Sequence, residues 1–415
     1  MGLQHSHRFT KIKLKSRPYT EEGESRFKQL LLQTDWITTS GPTPTDSANK
    51  LQMVLDGYVE ECFPQKIRTI RSTDDPWISI GIRKKIRLGK RVFKKEGRSR
   101  RWKELKRITD VKIAESKSKY YEKIRKTSKE TNDISLYYRV VSALKNHEAP
   151  KRWDPRALFP GKTDKEIGLL VADYFNSISE EFSPITEDTI PVARKSGTPF
   201  EPLMRHEVSA ALKSFKKPKS CVTGDIIPRL VTSFCDILAI PLTDLYNQII
   251  ATKQWPDLWK TENVIIIPKC SVPTSLADCR NLSCTPLFSK VMESFLLKRL
   301  KKETSFAESQ YGGMKGCGAD HFLVKTWNEF MEGLEDERAC VSLVSVDFEK
   351  AFNRMGHKEC LGALNDHGAS EDSIKLAAAF LMRRGMSVRI GDTHSPRRPI
   401  LGGCLLYTSP SPRDS

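Results

Sequence analysis

A chain of 415 residues is long enough for two or three domains and a sizeable core. Its 69 Lys and Arg against 51 Asp and Glu leave a formal charge of +18, which points to a polyanionic partner, nucleic acid ahead of an acidic membrane surface. No apolar run approaches the roughly eighteen residues of a bilayer span, so no membrane partner is expected. The N-terminal MGLQHSHRFTKIKLK lacks the apolar centre of a signal peptide. The 10 cysteines contain no C-x-x-C pair, and Cys270, Cys279 and Cys284 have no His at ligand spacing. They read as reduced thiols of an intracellular protein, with nucleus and cytoplasm both open.

In chain order, 1–75 reads as an N-terminal helical segment. Residues 24–36 carry Phe27, Leu30 and Leu31 on one face, and 49–63 turn Leu51, Val54, Leu55, Tyr58 and Val59 inward after a Pro/Gly/Ser/Thr loop at 39–45. Residues 76–130 form a basic connector. Between 83 and 126 there are 20 Lys and Arg and 5 acids, so this stretch holds +15 of the net +18. Trp102, Leu105, Ile108 and Val111 recur at three-residue steps, and Tyr120, Tyr121 and Ile124 continue the stripe. The pattern predicts two long helices broken near Gly97, with cationic outer faces. A solvated helical face ordinarily mixes signs, and this one is four to one basic. Phosphate-backbone binding is therefore favoured, without sequence readout, because such lysines carry no base-edge information. Arg83, Lys84, Lys85, Arg100, Arg101 and Lys103 are the candidate template contacts.

Residues 131–200 read as a linker with short helices, with apolar spacing over 167–182 and a Pro, Thr and Ser-rich run at 183–199. The domain boundary is placed there. Beyond it, 206–215 is an expected helix with Val208, Ala211, Leu212 and Phe215 on one face. The stretch KSCVTGDIIPRLV (219–231) contains a turn at Gly224-Asp225, and 241–252 is a further amphipathic helix ended by Trp255-Pro256. Residues 262–268 read as a strand, followed directly by Lys269 and then by Arg280, a spacing that suits a hairpin holding two cations. Helical spacing over 287–300 marks a core stripe, and Gln310-Tyr311-Gly312-Gly313 marks a tight turn. In CVSLVSVDFEKAFNRMGH (340–357) small, apolar and β-branched residues predict a buried strand ending on Asp347. Taken alone, Asp347 reads as the N-cap of a following helix. Residues 357–366 and 372–384 are expected helices, and 386–390 and 398–401 are expected strands of a hairpin around Gly391-Asp392.

The run S-V-D-F-E-K-A-F-N-R-M-G-H resembles the first catalytic palm motif of reverse transcriptases, and is most similar to the D-x-x-K-A-F-D form of non-long-terminal-repeat (LINE-type) retrotransposons. VIIIPKCSVPTSLADCRNLS resembles the fingers motif I-P-K…Y-R-P-I-S, KSCVTGDIIP the block K-S-x-G-x-D-x-I-P, and QYGG the block Q-F/Y-G-F. The resemblance implies an α/β fold: a partial right-hand polymerase, fingers over 201–335 and the first part of the palm over 336–403, preceded by the helical basic connector. It implies an RNA-directed DNA polymerase acting on an RNA template, a DNA primer and deoxynucleoside triphosphates, with two Mg²⁺ ions. On the same ground Asp347 would bridge both metals and the Phe348 carbonyl would add an oxygen. Lys269 and Arg280 would contact the triphosphate, Phe352 would lie under the sugar and collide with a ribose 2′-OH, and Gln310 and Gly312 would lie near the template.

The sequence departs from the family pattern in three places. Asn281 stands where proline is usual, Asn353 replaces a more usual aspartate, and no F/Y-A-D-D hairpin is present to supply two further carboxylates. After 399–403, where the family continues into P-Q-G-S, CLLYTSPSPRD (404–414) resembles one reading frame of a transposase-type sequencing adapter. Residues 404–415 are accordingly expected to be an artefactual tail. The expectation is a fragment of a LINE-type polymerase, inactive as written. A group II intron maturase shares these motifs, and a domesticated or decayed non-catalytic nucleic-acid-binding protein is the rival from another class. Oligomeric state is left open.

Overall fold

The computed structural model describes residues 11–71, 77–131, 153–194, 197–214, 227–314, 316–335, 340–347 and 353–403. They divide into two units, one built from 1–18 and 65–152, the other from 19–64 and 153–415.

In the first unit, β1 (Lys11–Ser16) pairs antiparallel with β2 (Lys66–Arg71), Lys11 opposite Arg71. Two helices follow, α3 (Ile80–Glu96) and α4 (Arg100–Thr131). Ser79 caps α3 by accepting from the Ile82 N–H. Gly97, at φ 61°, ends it in a conformation that an L side chain resists, so the expected break falls there. Phe93 near the end of α3 meets Trp102 near the start of α4, with ring centroids 5.1 Å apart. Trp77, just before α3, packs on Tyr120 and Tyr121 at 5.9 and 5.8 Å, and the Ser116 hydroxyl donates to the Trp77 carbonyl at 2.6 Å. The two helices therefore run antiparallel.

In the second unit, α1 (Glu21–Gln33) and α2 (Pro44–Cys62) pack on α8 (Cys235–Thr252) in one large apolar core that also holds α6 (Arg205–Ser214), α7 (Pro228–Ser233), α9 (Leu287–Glu303) and α12 (Glu371–Leu381). Gln248 on α8 joins α2 to this core by accepting from the Ser47 hydroxyl at 2.8 Å and donating to the Gly41 carbonyl at 2.9 Å. Helix α8 begins six residues before Pro241, where the sequence pattern starts it. An interior proline removes one ladder bond, but Leu238, Ala239 and Leu242 around it are fully buried, and that burial sustains the helix.

A mixed sheet runs in the order β4-β3-β5-β6, with β7 also on β5. Its strands are β3 (Thr261–Pro268), β4 (Cys279–Cys284), β5 (Gly385–Ile390), β6 (Thr393–His394) and β7 (Arg398–Pro399). β3 pairs antiparallel with β4 and parallel with β5, Thr261 opposite Gly385. Along β3 Glu262, Val264 and Ile266 are buried, and Val264 and Ile266 meet Ile167, Val171 and Phe175 of α5 (Asp164–Ser177). Helix α5 lies within the expected linker 131–200, yet its apolar face is part of the sheet's core. The apolar spacing expected over 167–182 is thus the face that packs on the sheet.

The remaining described helices are α10 (Ala319–Leu334) and α11 (His357–Asp366). No described helix is long and apolar enough to cross a membrane. No disulfide joins the eight described cysteines.

Candidate nucleic-acid and nucleotide site

On α3, Ile82 and Val92 are buried against α4, which turns the opposite face to solvent. Lys84, Arg87, Arg91 and Lys95 fall on that face at steps of three and four residues, and all four are exposed. The helix carries 8 cations and a single acid, Glu96. Of the expected template contacts, Lys84, Arg100, Arg101 and Lys103 are exposed, while Arg83 and Lys85 are half-buried. The Arg101 guanidinium reaches Glu96 at 3.5 Å, and on α4 Arg107 binds Glu104 at 2.8 Å, a bond that pulls the Glu104 carboxyl below its usual range. Most of the α3 charge is thus left to face a polyanion.

In the other unit the hairpin forms where the sequence puts it. Lys269 follows β3, its N–H donating to the Asp278 carbonyl at 2.7 Å, which continues the ladder one rung past Pro268–Cys279. Arg280 is opposite Ile267. Residues directly opposite in an antiparallel pair share a face, and so do residues two apart on one strand. Lys269 and Arg280 therefore occupy one face two rungs apart, and both are exposed. The Lys269 ammonium donates to the Ala277 carbonyl at 2.8 Å, and among the described residues Arg280 has no acidic partner. The intervening loop is closed by the Asp278 carboxylate, which accepts from the Thr274 and Ser275 N–H groups at 2.9 and 3.1 Å; these bonds hold its pKa below the ordinary range.

Gln310 makes the expected tight turn, its side-chain amide donating to the Gly312 carbonyl at 2.8 Å, with Gly313 at φ 77°. Both Gln310 and Gly312 are exposed.

The expected strand ending on Asp347 is absent. Residues 340–347 are neither strand nor helix, with Leu343, Val344 and Val346 at 72%, 81% and 75% exposure. An extended run becomes a strand only when its N–H and C=O groups meet a neighbouring ladder, and no described strand pairs with this one. Asp347 is exposed. Phe348, Lys350 and Phe352 lie outside the described residues.

Two Mg²⁺ ions need near-octahedral oxygen shells and several carboxylates. Among the described residues, no three His, Cys, Asp or Glu cluster so as to hold a metal. The described donors around Asp347 do not by themselves make up the shells of that pair of ions.

The structure also assembles a buried polar network that sequence reading missed. Glu262 on β3, 0% exposed, accepts from the Arg384 Nε at 2.9 Å; Arg384 is 1% exposed, donates to the Phe380 carbonyl at 3.1 Å and lies 4.5 Å over the Phe380 ring. Burial lifts the nearby Glu293 carboxyl to about 7 and lowers Lys260 to about 8 and His357 to about 4. The one signal for this network is an acid that opens an otherwise apolar strand. A small polar cavity of about 30 Å³ adjoins it, bounded by Glu262, Asn281, Ser283, Asn353 and Gly403 among others. Helix α10 was missed too, although Leu323, Trp327, Met331 and Leu334 recur on it at helical spacing.

No family model matches the chain. Three curated proteins do. A probable RNA-directed DNA polymerase from transposon BS of Drosophila melanogaster is 21% identical over 189 residues, covering 44% of this chain and 21% of the relative. A retrovirus-related Pol polyprotein from type-1 retrotransposable element R2 of Popillia japonica is 20% identical over 201 residues, covering 48% and 27%. An RNA-directed DNA polymerase from mobile element jockey of Drosophila melanogaster is 26% identical over 164 residues, covering 38% and 18%. The match thus spans between 18% and 27% of the relatives' length. By motif and by relatives alike, the chain is similar to the reverse transcriptases of non-long-terminal-repeat, LINE-type retrotransposons.

Proposed function

We propose that this chain is the nucleic-acid-binding and nucleotide-binding part of an RNA-directed DNA polymerase, with α3 and α4 as a basic connector and the second unit as the fingers and first part of the palm of a right-hand polymerase. Its partners are an RNA template, a DNA primer and deoxynucleoside triphosphates. The observation that carries the reading is the β3–β4 hairpin, which sets Lys269 and Arg280 on one exposed face two rungs apart, without acidic partners among the described residues. Two cations so placed suit a triphosphate, whose oxygens accept several charge-assisted hydrogen bonds. Phe352 is the sugar gate, Asp347 and the Phe348 carbonyl the metal-facing oxygens, and Gln310 and Gly312 the template contacts. Nucleotide addition by this chain alone is not part of the reading, because Asp347 has no companion acids among the described residues.

That same isolation of Asp347 favours a second reading, a nucleic-acid-binding protein without catalysis. The two part at the hairpin. Equilibrium binding of a fluorescent dATP in Mg²⁺ should be saturable on the full chain, and Lys269→Ala and Arg280→Ala should each weaken it about tenfold, the scale of one charge-assisted hydrogen bond. Binding that ignores both substitutions, beside intact nucleic-acid binding, would leave only the second reading.

A further inference from the structure

We infer that Asn281 and Asn353 form a clasp that holds residues 353–357 against the rear of the hairpin carrying Lys269 and Arg280, making both asparagines positioning residues for the nucleotide site. The inference rests on the nucleotide-binding reading above for its purpose, but not for its geometry.

The side-chain amide of Asn353 donates to the Asn281 Oδ1 at 3.1 Å, across 72 residues of sequence. Asn281 is opposite Ile266 on β4, so it occupies the face of Ile266, turned toward α5, while its neighbour Arg280 occupies the other face. The clasp therefore reaches the hairpin from behind and leaves the cationic face clear. Other hydrogen bonds pin the same segment elsewhere. Arg354 meets Glu181 at 3.3 Å, the Gly403 N–H donates to the Met355 carbonyl at 2.7 Å, Gly356 bridges to Gly402, and the His357 Nε2 lies 3.2 Å from the Gly403 carbonyl. Among the described residues, the amide pair is the hydrogen bond that ties 353–357 to β4.

The surroundings make the pair matter. Both side chains are half-buried and border the small polar cavity beside Glu262 and Ser283. A half-buried amide that loses its partner keeps the desolvation cost without the bond. Asn281 and Asn353 are also two of the places at which this sequence departs from the pattern it resembles, and the structure makes those departures partners. A proline at 281 would have no side-chain oxygen to accept the Asn353 amide.

Isosteric variants separate the bond from volume. In Asn281→Asp the carboxylate still accepts from Asn353. In Asn353→Asp the Asn281 amide turns over and donates. The double variant sets two acceptors face to face and cannot form the bond. Hydrogen exchange of the full chain should show the peptide around 353–357 opening about fivefold faster in the double variant and in Asn353→Ala, the factor expected of one ordinary hydrogen bond, with either single Asp variant near wild type. Peptides from α8 should not change, which reports that the core is folded. Asn353→Ala, which adds no charge, should also weaken fluorescent dATP binding by a similar factor, and Asn353→Asp should restore most of it. Exchange in the double variant and in Asn353→Ala equal to wild type would overturn the clasp, whatever the nucleotide arm gives. Faster exchange with unchanged dATP affinity would overturn the positioning role. Absence of dATP binding by wild type would instead remove the nucleotide reading and, with it, the positioning role, while exchange still decides the clasp.

Discussion

Arg384→Met gives the strongest test of how the second unit is held together. The guanidinium and the Glu262 carboxylate are 1% and 0% exposed, 2.9 Å apart, and 122 residues distant in sequence. The substitution keeps most of the stem volume and its packing on Phe380, and it strands a carboxylate where water does not reach. Removing one member of a buried pair costs about 3–5 kcal/mol, because the remaining charge loses its only compensation. Glu262→Leu with Arg384→Met should recover to within about 1–2 kcal/mol of wild type or better, since well-packed apolar replacements of buried pairs are often neutral or stabilising. The chain has two units, so one global transition is not assured; urea-dependent hydrogen exchange of the β3 and β5 amides reads the relevant unit directly. A loss below about 1 kcal/mol at pH 8, or a double variant no better than the single one, would refute the buried-pair reasoning.

The folded Glu293 carboxyl holds its proton up to about 7 against an ordinary 4.5, so it makes stability fall as pH rises from 4.5 to 7; Glu293→Gln should flatten that limb in melting temperatures measured against pH. His357 works in the opposite sense, because burial drops it from 6.5 to about 4 and stability is lost as pH falls across that window; His357→Asn should remove this loss. If α3 binds phosphates through its outer stripe, replacing Lys84, Arg87, Arg91 and Lys95 by Gln should reduce the slope of log K against log salt on duplex DNA by about 0.9 per lost contact, and an unchanged slope would dismiss the stripe. Primer extension on an RNA template with deoxynucleotides and Mg²⁺ or Mn²⁺ should show no incorporation by this chain, and incorporation abolished by Asp347→Ala would show that other carboxylates complete the site.

Local pattern settled a good part of this molecule. The helix His357–Asp366 falls at its expected ends, the break between the two basic helices falls at Gly97, and Lys269 and Arg280 reach one hairpin face, because turn residues and two- or four-residue periodicities act over a few residues. The basic excess of α3 likewise follows from composition and helical spacing alone. The outcome differs where a partner distant in sequence decides. The apolar run 341–346 has every local mark of a strand, yet it stays unpaired and exposed because strand formation needs a second ladder. Helix α5 reads as linker until the sheet buries Ile167, Val171 and Phe175. Glu262 with Arg384, and Asn281 with Asn353, are invisible as pairs in one dimension: a charge or an amide chooses its partner after the backbone has brought remote strands and loops together. Sequence thus determined which elements form and which charges face a polyanion, whereas tertiary structure alone decided which strands pair and which buried polar groups are satisfied, since both depend on neighbours the local chain does not contain.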